Sequence, residues 1–159
     1  MDMKKLIPII VIIGLLLILI WPRKDISINI VKGDYEEVVH KDFIYNHPDS
    51  ISFPAVVRSS GKKPVTTEYK GIEISKLFVS LNMDISNIKK MTFTATDGYR
   101  IVLSKEEIDE SNNVYLTFER DGEYLKSKKQ GGNGPFQLVI RNDPFSQRWI
   151  KHVDKIILE

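Results

Sequence analysis

MTFTATDGYRIVLSKEEI, residues 91 to 108, carries three structural signals in a row, and the fold turns on how they are read. Met91, Phe93 and Ala95 alternate with polar residues, as do Tyr99, Ile101 and Leu103, which is the two-residue period of a strand with one buried face. Asp97-Gly98 sits between the two runs. An Asp-Gly pair suits a type I′ turn, where both central residues need positive φ, so a hairpin is expected here. Ser104 then opens SKEEI, a capping box in which the serine hydroxyl and the Glu107 carboxylate each accept the other's free backbone N–H at a helix start.

Upstream the period changes. Ile74, Leu77, Phe78 and Leu81 recur at i, i+3, i+4 and i+7, which predicts a helix over Ile72 to Met83 with one face against a sheet. VTTEYKG before it reads as a strand stopped by Gly71, and SFPAVVRS as a strand that Pro54 pushes to an edge or a bulge. ISINIVK, residues 26 to 32, alternates with Ile26, Ile28 and Ile30 on one face, whereas GDYEEVVHKDFIYNHPDS reads as turns around a short amphipathic or irregular piece. Downstream, VYLTFER and the residues after Asp121-Gly122 form a second, shorter hairpin. PFQLVI follows as a strand, NDPFSQR as a turn, and WIKHVDKIILE as a closing strand pair or one bulged strand. The expected class is α+β, a mostly β mixed sheet with two short helices.

Leu6 to Trp21 has no charged side chain, while everything after Asp25 mixes charged and apolar residues. As a helix the run is about 24 Å long, short of a hydrocarbon core of roughly 30 Å, but Lys4, Lys5, Arg23 and Lys24 can snorkel at its ends. A cleaved signal peptide wants small residues after the run, and WPRKD follows instead. The expectation is therefore an uncleaved signal anchor over residues 1–24 and a folded domain over 25–159. The chain would be a single-pass protein of the cell membrane, held through residues 6–21 with its C-terminal domain outside the cytoplasm. Two basic residues lie on each flank, so the charge rule does not set this orientation.

Setting aside those four basic residues and Asp2 leaves 19 basic and 20 acidic residues out of 23 and 21, a formal charge of −1. That balance points away from nucleic acid. The sequence has no cysteine, hence no disulfide, no thiolate ligand and no cysteine nucleophile. His40, His47 and His152 are scattered without metal-motif spacing, so no metal site is expected, and there is no G-x-S-x-G. EEIDE, residues 106 to 110, reads as a solvated helix start, where the dipole favours negative charge. No catalytic residue is marked.

QGGNGP, residues 130 to 135, invites a phosphate-loop reading. Such a loop must open a helix whose amides face the phosphates, but Pro135 has no amide and a β-type run follows it. The local physics is that of a turn, its glycines serving positive φ or close backbone approach. Lys126, Lys128 and Lys129 just before it form a charged loop able to attract an anion.

In order, EYKGIEISKLF, MTFTATDGYRIVLSKEEI, FERDGEYL, GGNGPFQLVI and RWIKHVDKI resemble the molybdopterin-binding domain of the sulfite oxidase type of oxidoreductase over about residues 26 to 159. The resemblance implies a mostly β α+β fold, with Gly132, Gly134 and Pro135 in the family's glycine turn and Lys151 in its terminal motif. Together with Arg148 these become candidate cofactor-binding residues, with Tyr99 nearby. The family's molybdenum is held by a cysteine, which this chain lacks, and its strand arginine is replaced by Gln137. Its long cofactor-enclosing stretch shrinks to the residues between Arg58 and Gly71. The expectation is a domain that keeps the scaffold without molybdenum and binds a small molecule or a protein partner. Molybdopterin enters by resemblance alone. A molybdopterin-dependent oxidoreductase and an accessory structural subunit of an envelope complex are the alternatives.

Overall fold

The structure is a computed structural model and describes residues 25–58, 61 and 63–159. The expected anchor over residues 6–21 lies outside the described residues. Among those described, no helix is long and apolar enough to cross a membrane.

Two five-stranded sheets enclose one core. The first has the order β2-β1-β10-β5-β6, built from β1 (Ser27–Lys32), β2 (Tyr35–His40), β5 (Lys90–Ala95), β6 (Arg100–Ser104) and β10 (Val153–Leu158). It is mixed: β10 runs parallel to β1 and antiparallel to β5, and the other pairs are antiparallel. The second sheet is antiparallel throughout and has the order β3-β4-β7-β8, from β3 (Ile51–Val57), β4 (Val65–Glu73), β7 (Val114–Arg120) and β8 (Glu123–Tyr124). β9 (Gln137–Ile140) also pairs with β7. Among the described residues, three short helices, α1 (Lys41–Tyr45), α2 (Ile74–Ser80) and α3 (Lys105–Asp109), and two 3₁₀ turns complete the α+β fold.

The alternating positions become the core. Ile28 and Ile30 from β1, Met91, Phe93 and Ala95 from β5, and Ile101 and Leu103 from β6 are buried beside Ile74, Leu77 and Phe78 of α2. Burying each such side chain stabilises the fold by about 1.5–3 kcal/mol. The capping box forms as the sequence predicts: the Glu107 amide donates to Ser104 Oγ at 3.3 Å, and the Ser104 amide donates to Glu107 Oε2 at 3.0 Å. Pro54 sits on an edge strand, where its missing N–H costs no ladder bond.

Four details differ from the expectation. YEEVVH is a regular edge strand, because pairing with β1 fixes it although its own pattern is polar. β4 does not stop at Gly71 but continues to Glu73, which shortens the helix expected from Ile72. A Cβ at Gly71 would lie 2.4 Å from the Leu116 carbonyl oxygen, so glycine serves close passage of β7 there. In the Asp97-Gly98 turn only Gly98 has positive φ, at 85°, which gives a three-residue loop in place of a type I′ turn. The two-residue I′ pattern falls instead at Asp121-Gly122, with φ of 52° and 81°.

Candidate functional site

The segment after β8 is a loop whose backbone is consumed by its own hydrogen bonds. Ser127 and Gln130 close a 3₁₀ turn over Lys128–Gln130: the Ser127 amide and hydroxyl both donate to Gln130 Oε1, at 3.1 and 3.0 Å. Gly131 follows with φ 73°. Gly132 and Gly134 pass so close to the preceding chain that a Cβ would lie 2.1 Å from the Lys126 carbonyl oxygen and 2.3 Å from that of Leu125. The glycines thus serve backbone approach and positive φ, as the turn reading requires. From beneath, Asn133 Nδ2 donates to Oε1 of buried Gln137 at 3.2 Å. Phe136 lies edge-on to Tyr45, which stacks on Phe118 and Tyr124.

This loop walls a cavity of about 470 Å³, lined also by the start of β1, the β5–β6 turn and residues 152–154. The volume falls within the usual range for small-molecule pockets. Ile26, Pro135 and Val153 give apolar wall; Ser127, Lys128, Lys129, Asp25, Asp154 and His152 give polar wall.

His152 is the most constrained of these. It is 8 % exposed and holds φ 57°, a left-handed conformation costing a non-glycine residue roughly 1–2 kcal/mol. Three bonds hold it there: its amide donates to the Asn133 carbonyl at 3.0 Å, its carbonyl accepts from the Thr96 amide at 3.0 Å, and Nδ1 lies 2.8 Å from the Gly134 carbonyl oxygen. A carbonyl can only accept, so Nδ1 carries a proton and the other ring nitrogen, Nε2, is left for a different partner. Nε2 has no partner among the described residues. It is not sealed off either, since the only sealed and unpartnered side-chain polar atom among them is Thr94 Oγ1.

The charges around the cavity are mostly committed. Lys128 pairs with Asp97 at 3.1 Å, and that contact with the Tyr99 amide holds the Asp97 carboxyl below its ordinary range. Asp25 lies 2.8 Å from His40 Nδ1, and Asp154 is already engaged in an interaction. Lys129 has no such partner among the described residues.

The candidate residues are distributed as follows. Gly134 and Pro135 line the cavity, and Gly132 lines a separate pocket of about 270 Å³ with Arg120, Tyr124 and Lys126. Arg148 lies in a closed cluster: Nε donates to Asp143 Oδ2 at 2.9 Å, Nη1 to Glu107 Oε1 at 2.7 Å, and Nη2 to Asp143 Oδ1. These carboxylates raise its pKa further. Lys151 is exposed, and its backbone bridges Gln137. Tyr99 is exposed beside the β5–β6 turn. His152 escaped the sequence reading because its partners are carbonyls that no spacing rule searches for; the adjoining Lys151 of the terminal motif was the only pointer.

No protein-family model matches the chain, and a comparison with curated proteins returns no match. Among solved structures, the chain is similar to the sulfane dehydrogenase SoxCD from Paracoccus pantotrophus, with a TM-score of 0.64 and 17 % sequence identity. The match covers 83 % of this chain and 37 % of that one. The two share a fold. At this identity the likeness carries the architecture and no residue roles.

The molybdenum that the sequence resemblance brings in is held in that family by a cysteine thiolate. The chain contains no cysteine, and among the described residues no three His, Asp or Glu side chains gather as a metal site. β3 and β4 pair directly, with Val57 opposite Val65.

Proposed function

We propose that this chain is a membrane-anchored, extracytoplasmic ligand-binding module that uses the scaffold of an oxidoreductase domain without a molybdenum centre. The observation that carries the reading is the cavity beside the glycine turn, with a buried, tautomer-fixed histidine that has one nitrogen left over. Catalysis is no part of the reading, because the chain has no cysteine to supply the thiolate that holds the family's molybdenum. The anchor is supported by the charge-free run from Leu6 to Trp21.

The test is a ligand-observed fragment screen on the full chain in mild detergent, with amide shifts of Gly134, His152 and Val153 as the map. Fragments that move these amides support the module; a screen that moves none of them rejects it. Alkaline extraction of membranes, with protease access from either side, tests the anchor. Release of intact chain by alkali, or digestion from the cytoplasmic side alone, rejects that part.

A second reading, an oxidoreductase, is favoured by the fold shared with a dehydrogenase. Elemental analysis of the full chain purified from its membrane decides between them. Stoichiometric molybdenum supports the oxidoreductase and ends the non-metal reading.

A further inference from the structure

We propose that the end of the domain that holds the cavity rests on the lipid headgroups of the membrane, with the β5–β6 turn and the Ser127–Gln130 turn as the contact. This rests on the reading of residues 6–21 as an anchor and names the surface that the cavity end of the fold faces.

The tether sets the geometry. Only Pro22, Arg23 and Lys24 separate Trp21, the last residue of the apolar run, from Asp25. Four Cα steps reach at most about 15 Å, and the headgroup layer on one side of a bilayer takes up roughly 5–7 Å of that. The chain has no slack beyond Asp25: the Lys41 amide donates to the Ile26 carbonyl at 2.8 Å, and β1 begins at Ser27. Asp25 and Ile26 line the cavity together with Thr96, Ser127, Lys128 and Lys129, so the cavity lies at the tethered end of the fold.

The side chains at this end suit a boundary between water and lipid. Tyr99 is 55 % exposed, and Lys126 and Lys129 are exposed on the neighbouring loop. A tyrosine ring and a lysine stem are apolar bodies with polar tips, as headgroup-level side chains are. Lys128 bonds Asp97 at 3.1 Å and so joins the two turns into one surface. With Asp25, Asp97 and Asp154 beside these lysines the charge is mixed, so the tether rather than an attraction to anionic lipid sets the contact. The flank along β2 is a poorer surface, because that strand carries Glu36 and Glu37 and no lysine or arginine.

β1 leads away from the membrane. At a rise of about 3.3 Å per residue, its length carries the chain roughly 20 Å from Ile26 to the turn at Gly33 and Asp34. Lys89 lies at that far end too, where its amide donates to the carbonyl of Glu159, just beyond the end of β10, the strand parallel to β1. Asp34 and Lys89 are both exposed.

The sequence has no cysteine, so a dye can be placed at one chosen position. Tyr99→Cys, Lys129→Cys, Asp34→Cys and Lys89→Cys, each in the full chain, are labelled with bimane and reconstituted in phosphatidylcholine nanodiscs with and without a nitroxide-headgroup lipid. The nitroxide is expected to remove most of the emission at positions 99 and 129 and to leave positions 34 and 89 bright. Quenching at neither 99 nor 129, or quenching as strong at 34 and 89, overturns the proposal. Two positions report each end, so the contrast stays readable if one variant fails to fold. Failure here is separable from failure of the other readings. A chain that does not stay with the discs rejects the anchor and this contact together, whereas a chain that stays with the wrong pattern rejects the contact alone. Fragments that still move the Gly134 and His152 amides leave the ligand site standing in either case.

Discussion

Two places in this molecule gather polar side chains, and they are built in opposite ways. At Arg148 every guanidinium nitrogen is answered, with Asp143 taking Nε and Nη2 and Glu107 taking Nη1, and Glu107 also closes the α3 capping box with Ser104. At His152 the backbone is fixed on both sides and one ring nitrogen is fixed, yet the other nitrogen has no partner among the described residues and the residue lines a cavity. A cluster whose charges answer one another contributes to stability; a polar group held without a partner costs stability and has capacity to bind. Arg148, which sequence resemblance nominates for a cofactor, is held by two carboxylates of the chain itself.

The contrast breaks most visibly at Gly134, where scaffold and cavity meet. Its Cβ in alanine would lie 2.3 Å from a backbone carbonyl oxygen and 2.6 Å from Leu125 Cβ, neither at the end of a flexible chain. Gly134→Ala is expected to cost about 3 kcal/mol, at the upper end of overpacking effects, and to abolish fragment binding. Urea denaturation read beside the fragment screen checks both. A variant with unaltered stability would show that the loop has slack and that its close packing does not shape the cavity.

Asp143→Ala probes the saturated side. The Asp143 side chain is 7 % exposed and accepts two of the three guanidinium bonds, so its loss strands part of Arg148. Solvent reaches the arginine and softens the cost to about 2 kcal/mol. Fragment binding at His152 should be untouched. A loss of binding without a loss of stability would reverse the roles given to the two regions.

The difference between these regions also marks where sequence reading succeeds. The 91–104 hairpin, the Ser104 box, the Pro54 edge strand and the packed face of α2 are local patterns, and each forms where the sequence places it, the hairpin with a different turn and the helix shorter. The run of β4 through Gly71 is set by Tyr115 to Thr117, far along the chain, so no window around it contains the cause, and β2 is fixed by its hairpin partner β1, which its own segment does not include. The site obeys the same division. The glycine turn was legible because Gly and Pro limit the backbone directly, whereas the state of Arg148 and His152 depends on Asp143, Glu107, Asn133 and Gly134 converging after folding. Saturation is a tertiary property, and charge in a sequence does not disclose it.

Glu107→Gln sharpens the comparison through pH. Burial alone would raise the Glu107 carboxyl, but the Ser104 amide and the Arg148 guanidinium outweigh it, and the folded-state value lies below the ordinary range. A depressed carboxyl contributes stability above its unfolded value and loses it as pH falls through the folded one. Glutamine can keep the capping contact but not the charge. The variant is therefore expected to be less stable by about 1 kcal/mol at neutral pH, since the pair is partly exposed, and to converge with the unmodified chain in acid. Denaturation curves across the acid limb check this. A constant offset at every pH would show that Glu107 acts through shape and not through charge.

The smallest effect sets two adjacent lysines against each other. Lys128 is paired with Asp97 and both partners are well exposed, so Lys128→Gln should lower stability only slightly, and less at high salt. Lys129 has no partner to lose among the described residues, and Lys129→Gln should leave stability unchanged within measurement. A loss at Lys129→Gln as large as that at Lys128→Gln would mean that the Asp97 ion pair contributes nothing and that both positions act through the 3₁₀ turn that carries them.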